Sequence, residues 1–274
     1  NDRHNYQYQG PEIIYTIWDK HGPCQVTGCN HRTPIITNPI MAVKSITVKA
    51  WSHKCTSCSG VFDVEKDEGR MSPESPLYVS GDEPPFSILD PKRGAICPHC
   101  GFSSLVRLGK GKNKKIELSL LIHPQWLLGS PEHDAEGTHF GGSAQDDARS
   151  TSFWNCERAK NMKILEVRGR VPEKVVCPET GVEIHTGKEH GTVPKRAKFT
   201  CASCGTVQDL LAAVKQTGKT GPVAGYLVQA LDPNRKQDGA PYRGRYFKTF
   251  GSSAAKQYSA AVAEWEDRKD SDLK

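Results

Sequence analysis

Cys24-Gln25-Val26-Thr27-Gly28-Cys29 and Cys55-Thr56-Ser57-Cys58 are two close cysteine pairs, and residues 30–54 separate them. A short loop lets both sulfurs of a pair reach one metal ion at about 2.3 Å, and two such loops complete a tetrahedron. A disulfide framework or buried free thiols would be the alternative, but close pairs that recur along one chain favour metal. The spacing predicts a zinc ribbon in which one Zn2+ ion is shared by Cys24, Cys29, Cys55 and Cys58.

Two further pairs follow, Cys97-Pro98-His99-Cys100 and Cys201-Ala202-Ser203-Cys204, and a glycine comes directly after each. Glycine suits the turn that closes such a loop, because it adopts positive φ angles without strain. Cys177-Pro178-Glu179-Thr180-Gly181 has the same form, but Thr180 stands in place of the second cysteine. Cys177 lies nearer in sequence to the last pair and remains an alternative partner for it. Four thiolates nevertheless fit zinc better than three and a hydroxyl. The favoured set therefore leaves Cys177 unliganded and contains Cys97, Cys100, Cys201 and Cys204.

The composition predicts small cores that depend on metal. Of 274 residues, 25 are glycine, 18 are proline and only 36% are hydrophobic. Small or loop-rich units of this kind are stabilised by metal sites more often than by one large core. We expect an α+β fold of small zinc-ribbon hairpins with a few packed helices. The expected domains are residues 1–64 with the first ribbon, residues 65–128 with a basic hairpin, and residues 129–274.

Cysteine usage and charge indicate the setting of the protein. Ten cysteines, without a signal peptide or a long apolar run, predict a reducing, cytoplasmic environment and no membrane segment. The net charge of +6 is a mild indication of an acidic partner such as nucleic acid. The chain begins with Asn1 and ends in the charged run Glu264–Lys274, so we expect a segment of a longer protein.

Hydrophobic spacing gives a coarse secondary structure. Strands are predicted on both sides of the first cysteine pair, at 11–18 and 45–51. An irregular connection is predicted for 65–95, and paired strands for 105–108 and 116–122. Helices are predicted at 144–165, at 207–214 and from Ser252 or Ser253 onward, with a hairpin formed by 226–231 and 242–249.

Basic residues cluster in two places. One cluster occupies the predicted hairpin tip, and the other leads into the last cysteine pair. Short, glycine- or proline-flanked basic loops suit contact with DNA phosphates and not the reading of bases. The alternative is a solvated turn. The candidate DNA-binding residues are Lys110, Lys112, Lys114, Lys115, Lys195, Arg196 and Lys198.

Several catalytic patterns are near misses. Residues 213–220 resemble a phosphate loop, but a helix precedes them where a strand is required. Glu83-Pro84-Pro85-Phe86 differs from the Asp/Asn-Pro-Pro-aromatic loop of amino-methyltransferases by a longer acid, and we interpret it as linker. The motifs of zinc deaminases and of His-Glu-x-x-His hydrolases do not occur. His31, His53 and His99 lie beside cysteines and could be ligands, but histidines in such positions more often support the ligands or lie exposed beside the site.

Blocks spread over nearly the whole chain resemble one family. The resemblance is to the large bacterial adenine-specific DNA methylases that carry zinc ribbons between their catalytic motifs. The blocks are Tyr15-Thr16-Ile17-Trp18, Gly28–Pro34, Leu120–Leu127, Gly141–Asp147, Cys177–Gly181, Gly191–Arg196, Cys201–Asp209 and Thr217–Pro222.

The resemblance implies that the parent protein transfers a methyl group from S-adenosylmethionine to a base amine, adenine N6, of a flipped-out nucleotide. The family's cofactor glycine loop and catalytic Pro-Pro-Tyr loop have no counterpart here, so no catalytic or cofactor residue is carried over. The chain would be the inserted ribbon segment, with double-stranded DNA and the remaining methyltransferase domain as partners. The alternative is a stand-alone zinc-ribbon module that binds protein partners.

Overall fold

The computed structural model describes residues 12–29, 31–66, 70–72, 77–124, 130–131, 156, 159–160, 162–187, 192–193, 197–212, 223–232 and 244–272. These residues form mostly β structure, with little helix, so the chain is richer in strands than the expected α+β fold. The first strands are β1 Glu12–Pro23, β2 His31–Pro34, β3 Ile40–Lys54, β4 Val61–Glu65, β5 Leu77–Ser80 and β6 Phe86–Ile88. The middle strands are β7 Ala95–Ile96, β8 Ser103–Ser104, β9 Lys112–Ile122, β10 Ser130–Pro131, β11 Ile164–Arg168 and β12 Lys174–Val176. The last elements are β13 Glu183–His185, β14 Lys198–Thr200, β15 Val207–Asp209, β16 Val223–Leu231, β17 Arg245–Thr249 and the helix α1, Ser252–Asp272.

A six-stranded sheet in the order β5-β11-β9-β3-β4-β6 forms the centre of the described structure. The long strands β3 and β9 run antiparallel, with Ile46 opposite Ile116. Apolar residues alternate with polar ones along β3, so one face of it is buried. The core against that face also takes in Met71, Ile164, Leu227 and Phe247.

A five-stranded sheet joins the beginning and the end of the chain, in the order β10-β2-β1-β16-β17. The partner of β1 is β16, which lies about two hundred residues later in the sequence and runs antiparallel to it. Trp18 of β1 packs against Phe250 and Tyr258, with ring centroids 5.1 and 4.6 Å apart. These contacts attach α1 to the sheet.

Three two-stranded ribbons, β7–β8, β12–β13 and β14–β15, lead into cysteine-containing turns. Each ribbon has one opposed pair of buried side chains. The pairs are Ala95 with Ser104, Val175 with Ile184, and Phe199 with Gln208. Opposed residues of an antiparallel pair point to the same face, so each ribbon buries one face and exposes the other.

A buried ion network links strand β11 to β4 and to the segment that leads into β6 in the six-stranded sheet. The guanidinium of Arg168, in β11, donates to the carboxylates of Glu65 and Glu83 and lies 3.7 Å from the ring centroid of Phe86. Arg168 and Glu65 are fully buried. Residues 83–85 connect β5 to β6 without regular structure, as the interpretation as linker expects, but Glu83 and Phe86 also take part in this packed network.

Predicted strands at 11–18 and 45–51 are confirmed by β1 and β3, and the hairpin near the end by β16 and β17. The final helix is confirmed by α1. None of the helices among the described residues combines the length and the low charge that crossing a bilayer requires.

Four secondary-structure predictions are wrong in whole or in part where the structure describes them. Residues 156, 159–160 and 210–212 are helical, as the helices predicted over 144–165 and 207–214 require, but other parts of those stretches are not. Residues 65–95 contain β5 and β6, and the helix predicted over 144–165 overlaps the strand β11 at its end. The stretch 207–209 is the strand β15, because it pairs with β14. Residues 105–108 form no strand, and β9 pairs instead with β3 and β11.

Replacing Arg168 by leucine should lower the free energy of unfolding by about 3–5 kcal/mol, because Glu65 and Glu83 then lose their closest cation and share only Lys114. Urea denaturation of the metal-loaded protein measures this change. Lys174→Leu is the matched control, since the Lys174–Glu183 pair is half exposed on both sides and should matter little. Equal effects of the two substitutions would contradict a stabilising role for the buried network.

Candidate metal centres

Three cysteine pairs and the Cys177 segment share one turn geometry. The backbone N–H of Cys97 donates to Phe102 O at 2.8 Å, and that of Gly101 donates back to Cys97 O at 2.9 Å. The same two hydrogen bonds recur in the turns that begin at Cys55, Cys177 and Cys201. The fifth residue of each turn has a positive φ. Gly101 and Gly205 confirm the prediction made for the glycine after a cysteine pair, Gly181 behaves alike, and Ser59 adopts the same conformation without being a glycine.

The first pair uses a longer loop between β1 and β2. The N–H of Cys24 donates to His31 O at 2.8 Å, and that of Cys29 donates to Val26 O at 3.1 Å. Gly28, with a φ of 82°, makes the bend that brings the second sulfur round. The four-residue insert therefore still delivers two thiols to one side of the turn.

The four cysteine pairs converge in two groups of four sulfurs. Within each group, all sulfur atoms lie within 4.8 Å of one another. In the first centre, Cys24 lies 3.7 Å from Cys204, and Cys29 lies 3.8 Å from Cys201. In the second centre, Cys55 lies 3.7 Å from Cys100, and Cys58 lies 3.7 Å from Cys97.

Both predicted groupings of the pairs are therefore wrong. Cys24 and Cys29 do not join Cys55 and Cys58, and Cys201 and Cys204 join neither Cys97 and Cys100 nor Cys177. The sheets explain the observed grouping. The pairing of β1 with β16 brings the end of the chain to β1, and Phe199 of β14 packs against Gly22, where an added Cβ would lie 3.2 Å from its ring.

The dimensions and chemistry of both centres fit Zn2+. A tetrahedral zinc ion with sulfurs about 2.3 Å away places neighbouring sulfurs about 3.8 Å apart. Two sulfur pairs in each centre lie 3.7–3.8 Å apart, and all sulfurs of a centre lie within 4.8 Å of one another. Four cysteines also fill every position of a tetrahedral ion. Such a closed site stabilises structure and leaves no position for a substrate or a reactive water.

The thiols of the second centre differ in how readily they ionise. The backbone N–H of Cys58 lowers the pKa of Cys55 to about 6, with further help from Ser57. The N–H of Gly60 also acts to lower the pKa of Cys58, but Cys100 and the other neighbouring thiols raise it to about 12. One thiol thus ionises readily, while crowding opposes the ionisation of another, and a dication would remove that opposition.

The first centre has a similar contrast and an additional supporting side chain. Hydrogen bonding with Thr206 lowers the pKa of Cys204 to about 6, whereas burial and the adjacent thiols raise that of Cys29 to about 12. Gln208, nearly fully buried, donates its amide N–H to Cys24 Sγ at 2.9 Å. Its carbonyl oxygen accepts the backbone N–H of Gln25 at 2.5 Å.

Gln208 was not recognised in the sequence. It lies on β15 opposite Phe199, at the inward-facing position of the ribbon. The sequence could have pointed to it in one way only. In a strand, every second residue faces inward, and Gln208 is a polar residue at such an inward-facing position. The side chain links β15 to the loop that carries Cys24, so it connects the two halves of the first centre.

Histidines near the cysteines lie outside both groups of four sulfurs. The ring of His99 covers Gly60, where an added Cβ would approach it to 2.6 Å, and its Nε2 lies 3.4 Å from Val61 O. His53 meets the ring of Phe62 edge-on at 5.4 Å. His31 lies in β2. These positions agree with the expectation that the three histidines support or flank the sites.

Cys177 begins a turn of the same shape that lacks a second thiol. Its Sγ lies 3.3 Å from His123 Nε2, and both side chains are fully buried. Thr180 Oγ1 accepts the N–H of Val182, as Cys58 Sγ accepts that of Gly60. Glu179 Oε2 lies 3.1 Å from the same His123 nitrogen. A histidine and a carboxylate thus occupy the space beside this turn.

The candidate DNA-binding lysines fall into different environments. Lys112 lies 2.9 Å from Asp63, and Lys114 lies 3.1 Å from the buried Glu65, so both lysines are already paired with acidic side chains. The two lysines also lie within β9 and not at a hairpin tip. Lys110, Lys115 and Lys198 are exposed. Lys195 and Arg196, like the phosphate-loop-like residues 213–220, lie outside the described residues.

Neither a family model nor a curated protein nor a solved structure matches the chain.

The grouping of the cysteines predicts a specific pattern of zinc loss, to be measured by elemental analysis after dialysis. The wild type should hold two zinc ions, and Cys24→Ser with Cys29→Ser should hold one. Adding Cys201→Ser and Cys204→Ser should remove no more, because those thiols belong to the same centre. Adding Cys55→Ser and Cys58→Ser instead should remove the second ion. Loss of the second ion on adding Cys201→Ser and Cys204→Ser, but not on adding Cys55→Ser and Cys58→Ser, would contradict the structure.

Gln208→Leu should weaken zinc binding at the first centre about 10- to 100-fold, because a hydrogen bond to a ligand sulfur is lost. Competition with a chromophoric chelator should show one of the two ions released more easily. Gln257→Leu, on the exposed surface of α1, is the matched control. Equal weakening of both centres, or of neither, would argue against a local role for Gln208.

Proposed function

We infer that this chain binds two structural zinc ions and acts as the zinc-ribbon segment of a site-specific DNA methyltransferase. The observation that carries the zinc assignment is the tetrahedral spacing of two groups of four cysteine sulfurs. Because both groups are closed, the metal holds the fold and takes no part in chemistry. The segment is non-catalytic in this proposal.

The methyltransferase part of the proposal rests on the resemblance of several sequence blocks to adenine-specific DNA methylases. S-adenosylmethionine and the methyl transfer to adenine N6 would belong to the remaining methyltransferase domain, which is the proposed protein partner. The segment would contribute contact with double-stranded DNA. Its net charge of +6 supports this role, since exposed basic residues attract the phosphate backbone.

The candidate lysines differ in whether an acidic side chain already binds them, and this difference decides which of them are useful for testing DNA contact. Lys110, Lys115 and Lys198 are exposed, whereas Lys112 and Lys114 are held by Asp63 and Glu65. A lysine that is already paired with an acid releases few counterions when it meets DNA. The first three residues should therefore carry the phosphate contacts of this set.

Duplex DNA binding of the metal-loaded chain, measured by fluorescence anisotropy at several salt concentrations, tests the proposal. In the Lys110→Ala, Lys115→Ala, Lys198→Ala variant, the slope of log affinity against log salt should fall by about 0.9 for each lost phosphate contact. The loss should be similar for different DNA sequences, because phosphates carry no base identity.

Lys112→Ala with Lys114→Ala is the matched control, and it should change the salt slope little if zinc content is preserved. Failure of the wild type to bind duplex DNA at low salt would contradict the proposed DNA contact. The stand-alone module that binds protein partners would then be the better explanation.

A further inference from the structure

The second metal centre is the core of a small lobe formed by residues 55–62 and 90–110, the second-centre lobe. Its interior contains Cys55, Phe62, Ala95 and Cys97, with Leu89 and Val106 packed against them. Two cysteine turns and the ribbon β7–β8 close this interior. This interior continues through the buried Val64 into β4 of the six-stranded sheet, which attaches the lobe to that sheet.

Large apolar side chains also cover the outside of this lobe. Leu105 is 84% exposed, and Phe102 is 47% exposed. In the ribbon, Ala95 and Ser104 face inward, so the opposed Ile96 and Ser103 face outward. The exposed apolar residues of the lobe and the loop that follows it are Val61, Ile96, Phe102, Leu105 and Leu108. The core does not use them, and their concentration in one small lobe is the reason to consider this surface for binding.

The same part of the chain is uniformly basic. No aspartate or glutamate occurs between Asp90 and Glu117. Lys92, Arg93, Arg107 and Lys110 are exposed, and the acidic residue nearest to Arg93 in the sequence is Asp90, whose carboxyl interacts with the charge of Arg93. The carboxylate of Asp90 accepts hydrogen bonds from the backbone N–H groups of Arg93 and Lys92, and these bonds lower its pKa.

Two contacts hold the basic groups beside the apolar ones. The carbonyl of Arg93 accepts the hydroxyl of Ser103, 2.8 Å away, which places Arg93 next to the outward face of the ribbon. Gly109 O accepts the indole N–H of Trp51 at 3.0 Å. An added Cβ on Gly111 would meet Trp51 at 2.8 Å. The loop that carries Arg107 and Lys110 is thus fixed against β3.

We propose that the second-centre lobe binds single-stranded or unpaired DNA, with Phe102 and Leu105 against base faces and the four exposed basic residues against phosphates. The inference deepens the proposed DNA contact and rests on it. A regular duplex hides its base faces, so exposed aromatic and aliphatic side chains would gain little from it. Unstacked bases offer those faces, and basic grooves with aromatic platforms bind single strands in this way.

Anisotropy with a labelled 12-nucleotide thymidine oligomer and a 12-base-pair duplex tests the proposal on the metal-loaded chain. The wild type should bind the single strand more tightly at equal salt. Phe102→Ala with Leu105→Ala should weaken single-strand binding about tenfold or more, because base stacking is lost. The same variant should leave duplex affinity unchanged.

Arg93→Ala with Arg107→Ala should instead flatten the salt dependence of single-strand binding by about 0.7 per lost phosphate contact. Val43→Ala with Trp265→Ala is the matched control, because both residues are exposed and lie outside the lobe. This control should bind like the wild type. Phe102→Trp should keep tight binding. The fluorescence of the new tryptophan should be quenched when the oligomer binds, and this quenching reports base stacking in a variant whose side chain has not been truncated.

Different failures overturn different claims. Absence of binding to any DNA would overturn the proposed function as well as this inference. Duplex binding that is as tight as single-strand binding, with no effect of Phe102→Ala and Leu105→Ala, would overturn only the inference. Polyglutamate is a third test. If it displaces the labelled oligomer as effectively as an unlabelled oligomer of equal charge does, the surface would be assigned to an acidic protein, and the inference would be overturned.

Discussion

Thiol sulfurs from opposite ends of the sequence lie 3.7–3.8 Å apart in the first centre, and the rest of the structure depends on keeping them there. Burial and the neighbouring thiols raise the pKa of Cys29, so ionising all four thiols is unfavourable until a cation offsets their negative charge. Structural zinc supplies about 10–16 kcal/mol of apparent binding free energy. That is enough to stabilise a chain with small cores and a large fraction of glycine and proline.

The second centre and the buried ion network stabilise the other side of the central sheet. Cys55 and Cys58 lie between β3 and β4, and Glu65 at the end of β4 binds Arg168 of β11. Metal and ion pairs thus act on the same strands. Glu65 also forms an ion pair with Lys114. A lysine that the sequence predicted to contact DNA therefore pairs with an acidic side chain inside the protein.

Local features of this fold were predictable from the sequence, and long-range ones were not. The turns at Cys97 and Cys201 follow from cysteine spacing and a glycine with positive φ. The grouping of the turns depends on which strands pair across the chain, and proximity in sequence was a poor guide. Lengthening a loop fourfold costs only about 1 kcal/mol, far less than zinc binding provides. The strand β15 was missed because a capping pattern favoured helix, whereas pairing with β14 decided the outcome.

A crystal structure of the metal-loaded chain, with anomalous scattering measured at the zinc edge, tests the central claim most directly. The account predicts two peaks of equal height, each about 2.3 Å from four sulfurs. One peak should lie among Cys24, Cys29, Cys201 and Cys204, and the other among Cys55, Cys58, Cys97 and Cys100. A peak shared by Cys24 and Cys55, or electron density for disulfides in place of metal, would contradict it.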